Sequence, residues 1–443
     1  MKNYNSYKDT DLDWLKKIPN KWNLLRSKDV VSINNKSLSN NTSPHYEFKY
    51  VDISNVNQNG IVEEPELMKF AEAPSRARRR VSINDVIVST VRTYLKAVAY
   101  INFEPSNIIV STGFAVLSPS NKINSAYLAF YCQSDFFIDL VIKNSKGVSY
   151  PAINSSEVAN LTAVYPPINE QVVIGKYLEN TTNSIDQKVA LLEKEIFFYQ
   201  ELRKSLINDI VTKGLDKNCE LHSNELGFKT PKKWLKYRLK DLGFLFSGLS
   251  GKSGDEFNQD DNLYNKNFIP FTNISSNTYL KQDHLGKVVV YENEKQNKVR
   301  KGDIFFLMSS ESYEDIGKTA ALAVDIDETY LNSFCKGFRI NPRKCNPFFL
   351  NYLMLSDYYR QLLIVEGRGF TRINLKMEKV NDFLVYVPNS LNEQEQIVKI
   401  LDAKLDNIAK ITNNIKSQII TFKEMRKTLI NDVVTGKIKV LNN

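Results

Sequence analysis

Apolar and polar positions alternate along this chain in two rhythms. In two long stretches the stripe advances by four and then three residues. The first stripe carries Leu178, Thr182, Ile185, Val189, Leu192, Ile196, Tyr199, Arg203, Leu206 and Ile210. The second carries Leu401, Leu405, Ile408, Thr412, Ile415, Ile419, Phe422, Arg426, Leu429 and Val433. A 4,3 alternation keeps the stripe on one side of an α-helix, as in the seam of a coiled coil. Neither stretch has an internal proline, and Gly175 is the sole glycine before either end. Each is predicted to be one helix of about 40 residues, on the order of 60 Å long. Elsewhere apolar residues gather in short runs rich in Val, Ile, Phe and Tyr, at 86–91, 97–101, 108–116, 287–291, 303–308 and 320–324. Bounded by Gly, Asn, Asp and Ser, these runs predict strands. A helical segment near 124–142, and another near 347–365, follows them.

The two helical stretches are copies of each other. Asn169-Glu170-Gln171 opens one and Asn208-Asp209-Ile210-Val211-Thr212 closes it; Asn392-Glu393-Gln394 and Asn431-Asp432-Val433-Val434-Thr435 do the same for the other. The separation is 223 positions at both ends, so the copies align without a gap. Such a stripe is ordinarily packing within a bundle. Two matched copies more than 170 residues apart point instead to two similar modules, with helices that pack on each other and hold globular units apart. The regions ahead of the helices also correspond. Pro19-Asn20-Lys21-Trp22, with Leu25-Arg26 and Asp29-Val30, matches Pro231-Lys232-Lys233-Trp234, with Tyr237-Arg238 and Asp241-Leu242. Asn84-Asp85-Val86 answers Gly302-Asp303-Ile304, and Gly113-Phe114 answers Gly337-Phe338. Ser134-Asp135 answers Ser356-Asp357, and Ile153-Asn154 answers Ile373-Asn374. Between these anchors the sequences diverge, as expected of two readers with one framework and different targets. The expected organisation is α+β with a pseudo-twofold internal repeat: β-rich domains at 1–167 and 216–389, and long helices at 168–215 and 390–443.

Composition narrows the function class. At 443 residues, 42% hydrophobic and 25% charged, the chain has room for two or three soluble domains. No apolar run approaches the roughly 18 residues needed to span a bilayer, and the N-terminus lacks the apolar core of a secretory signal. A cytoplasmic location without membrane contact is expected. Cys132, Cys219, Cys335 and Cys345 form no CxxC pair, and His45, His222 and His284 join no metal-ligand spacing; reduced cysteines in packing roles are the expectation. The net charge is +9, yet residues 170–213 hold six Lys/Arg against seven Asp/Glu and residues 393–436 hold seven against six. The excess lies outside the helices. Basic globular units on a neutral scaffold suggest a polyanion, most commonly nucleic acid; an AT-rich coding sequence yields the same Lys-rich bias without any function.

The Pro-x-x-Trp motifs, the Gly302-Asp303-Ile304 strand (Asn84-Asp85-Val86 departs at the Gly) and the NEQ-led helices ending in NDIVT and NDVVT resemble the specificity subunit of bacterial type I restriction-modification systems, over essentially the whole length. The resemblance implies two target recognition domains, each reading half of a split double-stranded DNA sequence, and an antiparallel coiled coil between them. It also implies no catalytic activity and no cofactor. The implied partners are two methyltransferase (modification) subunits and, in the full complex, two restriction (motor-nuclease) subunits. The chain would then dictate where adenine is methylated or DNA is cut. Because the two readers differ, the target should be asymmetric, with helix length setting the spacer. The competing class is a coiled-coil adaptor displaying two protein-binding domains, without salt-dependent DNA affinity.

Several residues are candidates for DNA contact. Arg76, Arg78, Arg79 and Arg80 place four guanidiniums in five residues, suited to phosphate or guanine; the alternative is a solvated edge balancing Glu63, Glu64 and Glu66. Arg92 and Lys96, and Ser309 and Ser310, follow equivalent strands in the two halves. Two Gly-containing basic loops precede the Ile-Asn anchors. Lys146-Gly147-Val148-Ser149-Tyr150 offers Lys146, Ser149 and Tyr150, and Glu366-Gly367-Arg368-Gly369-Phe370-Thr371-Arg372 offers Arg368, Thr371 and Arg372. As loops on a shared framework they are the preferred candidates, with a purely structural turn as the alternative. Lys252 stays among the DNA-facing candidates, although Gly251-Lys252-Ser253 is no phosphate-binding loop, since Phe246 stands where GxxxxGK[ST] needs glycine. Asn346-Pro347-Phe348-Phe349 lacks the second proline of the motif with which amino-methyltransferases grip adenine, and reads as a helix start. Asp325-Ile326-Asp327-Glu328 reads as a turn. Arg203 and Arg426 interrupt the seam at the same place in both copies. They pair with acids of the opposite helix, or face a methyltransferase subunit or the DNA between half-sites.

Overall fold

The computed structural model describes residues 2–12, 14–259, 262–369 and 371–440. It divides into two compact units: Met1–Glu193 with Lys416–Asn443, and Lys194–Ile415. The two predicted long helices are Ile168–Lys213 and Leu391–Val434, 46 and 44 residues long, and each gives one half to either unit. Leu178, Ile185, Leu401, Ile408, Ile415 and Ile419 of the predicted seam are buried, and Leu192, Ile196, Leu206 and Leu429 are half-buried. Most residues between seam positions are exposed, which is the signature of a narrow 4,3 stripe.

In the first unit the helix halves run antiparallel. Arg426 lies 3.1 Å from Asp186 and Lys423 lies 3.2 Å from Glu193. The module ahead of them holds two four-stranded sheets. One is antiparallel, in the order Val98–Tyr100, Val86–Ser89, Phe114–Pro119, Val31–Ile33; the other is mixed, in the order Glu66–Lys69, Glu47–Val51, Ile108–Ser111, Ala77–Arg80. The run 108–116, predicted as one strand, is two strands in different sheets. The chain turns at Thr112-Gly113, where a Cβ on Gly113 would come within 2.7 Å of Ile53 Cδ1.

The second unit repeats the plan with its strands divided differently between the two sheets. Its five-stranded sheet runs Gly243–Ser247, Cys335–Ile340, Ile304–Leu307, Thr319–Leu322, Tyr279–Leu280, beside a three-stranded sheet of Gly286–Val289, Asn265–Ile269 and Thr329–Leu331. Its helix halves are again antiparallel. Arg203 bonds Thr278 (3.0 Å) where Tyr279 bonds Asp402 (2.9 Å), and Gly214, past the end of the first helix, lies beside Glu393 at the start of the second.

The repeated motifs are the closures of each unit. Trp22 and Trp234 are buried, and each donates its indole N–H to the first-turn glutamate of a long helix, Glu170 or Glu393, at 3.2 Å. The adjacent glutamine bridges. Gln171 accepts from the Asn124 N–H (2.9 Å) and donates to the Pro166 carbonyl (2.8 Å); Gln394 accepts from Asn346 (2.7 Å) and donates to Pro388 (2.9 Å). These bonds tie each long helix to the N-cap of a shorter one.

The segments near 124–142 and 347–365, predicted as single helices, are each two: Ser125–Gln133 with Asp135–Lys143, and Pro347–Leu355 with Asp357–Ile364. Ser134 and Ser356 turn extended, at ψ 148° and 147°, and restart the helix. A restarted helix exposes N–H groups that have no partner within it. The N–H of Asp135 is taken by the Asn431 carboxamide (2.9 Å), which returns a donor to the Asp135 carboxylate (2.6 Å); Asn208 does the same for Asp357 at 2.6 and 2.9 Å. The Asn that opens NDIVT and NDVVT is therefore a two-way clasp. The departure at Asn84 is also explained. Asn84 has φ +73° and Gly302 φ +83°, and asparagine is among the few residues that tolerate this left-handed conformation.

Candidate nucleic-acid interface

Residues 146–152 and 368–374 are one loop in two copies. Each is closed by a reciprocal backbone pair: Lys146 with Ala152 at 2.8 and 2.9 Å, and Arg368 with Asn374 at 3.0 and 2.8 Å. The second residue of each is a glycine at positive φ, Gly147 at +103° and Gly369 at +139°. A Cβ there would press on the carbonyl oxygen of Tyr150 or of Arg372, so glycine is required by the turn itself. Each loop is rooted beside an equivalent strand, through Ile153 N–H to the Thr90 carbonyl and Leu375 N–H to the Met308 carbonyl, both at 2.9 Å, so the structural counterpart of Ile153 is Leu375 and not the Ile373 matched by sequence.

The loops share a frame and differ in chemistry. In the first unit Ser149 and Tyr150 are exposed, and the exposed Arg92 guanidinium sits 5.1 Å over the Tyr150 ring. Arg92 and Lys96 both adopt positive φ, which shapes the 92–96 turn. Arg76, Arg92 and Tyr150 line one pocket of about 400 Å³ with Asp52, Ile53, Ser54 and Val91. Lys96 lies 4.0 Å from Asp135, and Lys146 3.6 Å from Glu157. In the second unit the polarity of the stack is reversed. Here the loop supplies the cation, Arg372, 4.5 Å over the ring of Phe334. Thr371 is exposed beside it, and Phe370 lies outside the described residues.

Other candidates are already engaged within the protein. Arg79 points inward from the strand Ala77–Arg80 and donates to Asn34 and to the Phe114 carbonyl; burial lowers its pKa. Arg78 stacks over Phe70 and Arg80 over Tyr46, while Arg76 pairs with Asp52 at 2.5 Å. Arg76 lines one pocket with Glu63, Glu64 and Glu66, while Glu64 also pairs with Lys49. Lys252 is a buried structural lysine, its ammonium 2.6 Å from Glu294 and 3.0 Å from Glu256. Arg368 donates to the carbonyls of Val365 and Gly367 at the neck of its own loop. Ser310 is buried and caps the Ser312 N–H at 3.1 Å, whereas Ser309 is half-buried.

Seam and decoy residues resolve in local terms. Arg426 pairs with Asp186 of the opposite helix and also reaches Asn59 (3.0 Å), while Arg203 bonds Thr278 instead of an acid. Asn346 is a helix N-cap with Pro347 in the first turn. Asp325 pairs with Lys301, and Glu328 with Lys266 and Lys298. All four cysteines are free and three are buried, where burial pushes the thiols up, that of Cys335 to about 12. Sequence reasoning missed Tyr94 and Tyr313, about half exposed in the turns after the equivalent strands. An aromatic shortly after each strand was the available signal. Phe334 and the buried Arg360 carried no such signal.

One module in two copies, with a common frame and unlike loop chemistry, defines a duplicated recognition scaffold. The family model for the type I restriction modification DNA specificity domain matches residues 19–194 and 231–421, most of the chain. The chain is 25% identical over 343 residues, 75% of each sequence, to the type I restriction enzyme MjaVIII specificity subunit of Methanocaldococcus jannaschii. It is 21% identical, over 98% of this chain and 97% of the relative, to the putative MjaX specificity subunit of the same organism. Two solved structures share the fold. One, from work on complex assembly and conformational transition of the type I R-M system, gives a TM-score of 0.74 at 20% identity over 95% of this chain and 99% of that one. The HsdS subunit of Thermoanaerobacter tengcongensis gives 0.55 at 20% identity over 95% and 98%. The chain belongs to the type I restriction-modification DNA specificity family, and its role is DNA recognition rather than catalysis.

Proposed function

We propose that the modules at 1–167 and 216–389 each read one half of an asymmetric, bipartite DNA target, and that the helices Ile168–Lys213 and Leu391–Val434 set the spacer and recruit the partner subunits. The observation that carries this reading is the duplicated loop. Its closing backbone pair and its positive-φ glycine recur at 146–152 and 368–374, while its exposed groups change from Tyr150 to Arg372. A shared frame with altered tips is what two half-sites of different sequence require. The contact residues on this reading are Arg76, Arg92, Lys96, Lys146, Ser149 and Tyr150 in the first unit, and Ser309, Thr371 and Arg372 in the second. Arg78, held over the Phe70 ring, is assigned to a phosphate.

The full complex takes two methyltransferase and two restriction subunits in the cytoplasm. Duplicated exposed apolar positions support the twofold count. Phe197 and Leu202 in the second unit, and Ile420 and Met425 in the first, are apolar, about half exposed, and 223 positions apart. Apolar groups kept at matched exposed positions suit one partner bound twice. Among the described residues no helix is long and apolar enough to cross a membrane.

The test is to purify the chain with the methyltransferase subunit encoded beside it and map methylated adenines on a randomised DNA library. The expected result is one split motif with a fixed spacer that changes when the specificity chain is replaced. Methylation indifferent to the identity of this chain, or confined to one continuous motif, overturns the reading.

A further inference from the structure

Arg360, on the helix Asp357–Ile364, is a buried guanidinium that forms no ion pair among the described residues. It is 8% exposed, and its Nη1 and Nη2 donate to the carbonyls of Ile316 (2.6 Å) and Glu314 (2.8 Å). Burial pushes its pKa down to about 10, with Asp315 and Asp357 offsetting part of that effect, so it remains a cation at neutral pH. The equivalent position in the first unit, counting from the matched Asp135 and Asp357, is Ile138, which is also buried. An apolar side chain therefore serves the same helix position in the sister module. Burying a cation costs more than burying isoleucine unless its donors are well used. Stability alone does not account for Arg360.

What the guanidinium does is hold a turn by two carbonyls at once, with the fixed fork that arginine has and lysine lacks. That turn, 311–317, follows the strand Ser309–Ser310, which pairs with Ile373–Asn374 at the root of the 368–374 loop. Its inner residue Ile316 is fully buried, and a Cβ on Gly367, at the neck of the same loop, would lie 3.8 Å from Ile316 Cγ2. Its outer residues Glu311 and Tyr313 are exposed. In a duplex, carboxylates and aromatic rings read base edges, by accepting from the cytosine amino group and by apolar contact with the thymine methyl, while contributing nothing to phosphate attraction.

Resting on the DNA-reading assignment above, we propose that Arg360 is a positioning residue for half-site specificity. It clamps the 311–317 turn so that Glu311 and Tyr313 stand beside the 368–374 loop as base-reading groups of the second unit alone. The clamp acts through geometry and does not touch DNA.

The test uses the complete complex with its methyltransferase subunit and maps methylated adenines on a randomised library for wild type, Arg360→Met, Arg360→Lys and the double variant Glu311→Ala, Tyr313→Ala. In Arg360→Met, discrimination at one or more positions of the second half-site should fall about tenfold, the cost of roughly one base contact. The first half-site and the spacer should be unchanged, and Arg360→Lys should lie between. The double variant alters no buried group and should relax the same half-site. Wild-type discrimination in the double variant overturns the proposal even if Arg360→Met fails to fold. So does equal loss at both half-sites in Arg360→Met, which would mark a merely structural residue. A wild-type complex whose methylation did not follow this chain would instead remove the reading on which the clamp rests.

Discussion

The two units use identical closures and unlike tips. Trp to Glu, Gln to N-cap and Asn to Asp recur in both at nearly the same distances. The loops at 146–152 and 368–374 share a backbone but trade an aromatic tip for a cationic one, and the buried Ile138 becomes Arg360. The difference teaches where each kind of constraint acts. Buried hydrogen bonds with paired donors and acceptors tolerate no drift, while exposed tips answer only to the ligand.

The closures should be the most sensitive part of this comparison. Trp22→Ala and Trp234→Ala each remove a buried indole and one of the donors to a glutamate, and each should cost about 3–5 kcal/mol in denaturant titration, with the loss confined by hydrogen exchange to the unit altered. Uniform loss across both units would break the picture of two separate cores. A smaller effect, about 1 kcal/mol, is expected for Asn431→Ala, which leaves the part-buried Asp135 N–H without its partner. Asn208→Ala should cost less, since its bonds to Asp357 are exposed and water can replace them; an equal or larger loss would show that burial does not set the strength of the clasps.

The tips should separate by salt rather than stability. Arg372→Ala should lower the slope of log affinity against log salt by about one, while Tyr150→Ala should weaken binding with the slope unchanged. Equal slopes for the two variants would contradict the exchanged roles of the loops.

The smallest effect concerns acid stability of the second unit. Hydrogen bonds from Lys266 first, then Lys298 and Tyr330, hold Glu328 at about 2, below its ordinary 4.5. A depressed folded-state pKa stabilises above the unfolded value and loses that contribution as pH falls from about 4.5 towards 2. Melting of Glu328→Gln should depend less steeply on pH in that window, and an unaltered slope would show the cluster to be solvent-screened.

Much of the fold was legible because helices report themselves by period. The 4,3 stripe predicted Leu178 to Ile210 and Leu401 to Val433 as seams, and the repeat predicted two modules. The break at Ser134 and Ser356 was hidden, because an interrupted helix keeps its apolar period while one serine turns extended. The turn at Gly113 was hidden in the same way by an unbroken apolar run. At the candidate interface, glycines marked both loops, but charge alone could not separate Arg92, which faces solvent, from Arg79 and Lys252, which are spent on internal partners. Arg360 was beyond reach, since its role depends on two backbone carbonyls 44 and 46 residues away.

Whether each module reads one half-site is tested most directly by methylation mapping after residues 230–388 are exchanged for the equivalent region of a relative. One new half-site is expected, with the other half-site and the spacer retained. Loss or change of both half-sites in a folded, assembled complex would contradict the assignment of one half-site to each module.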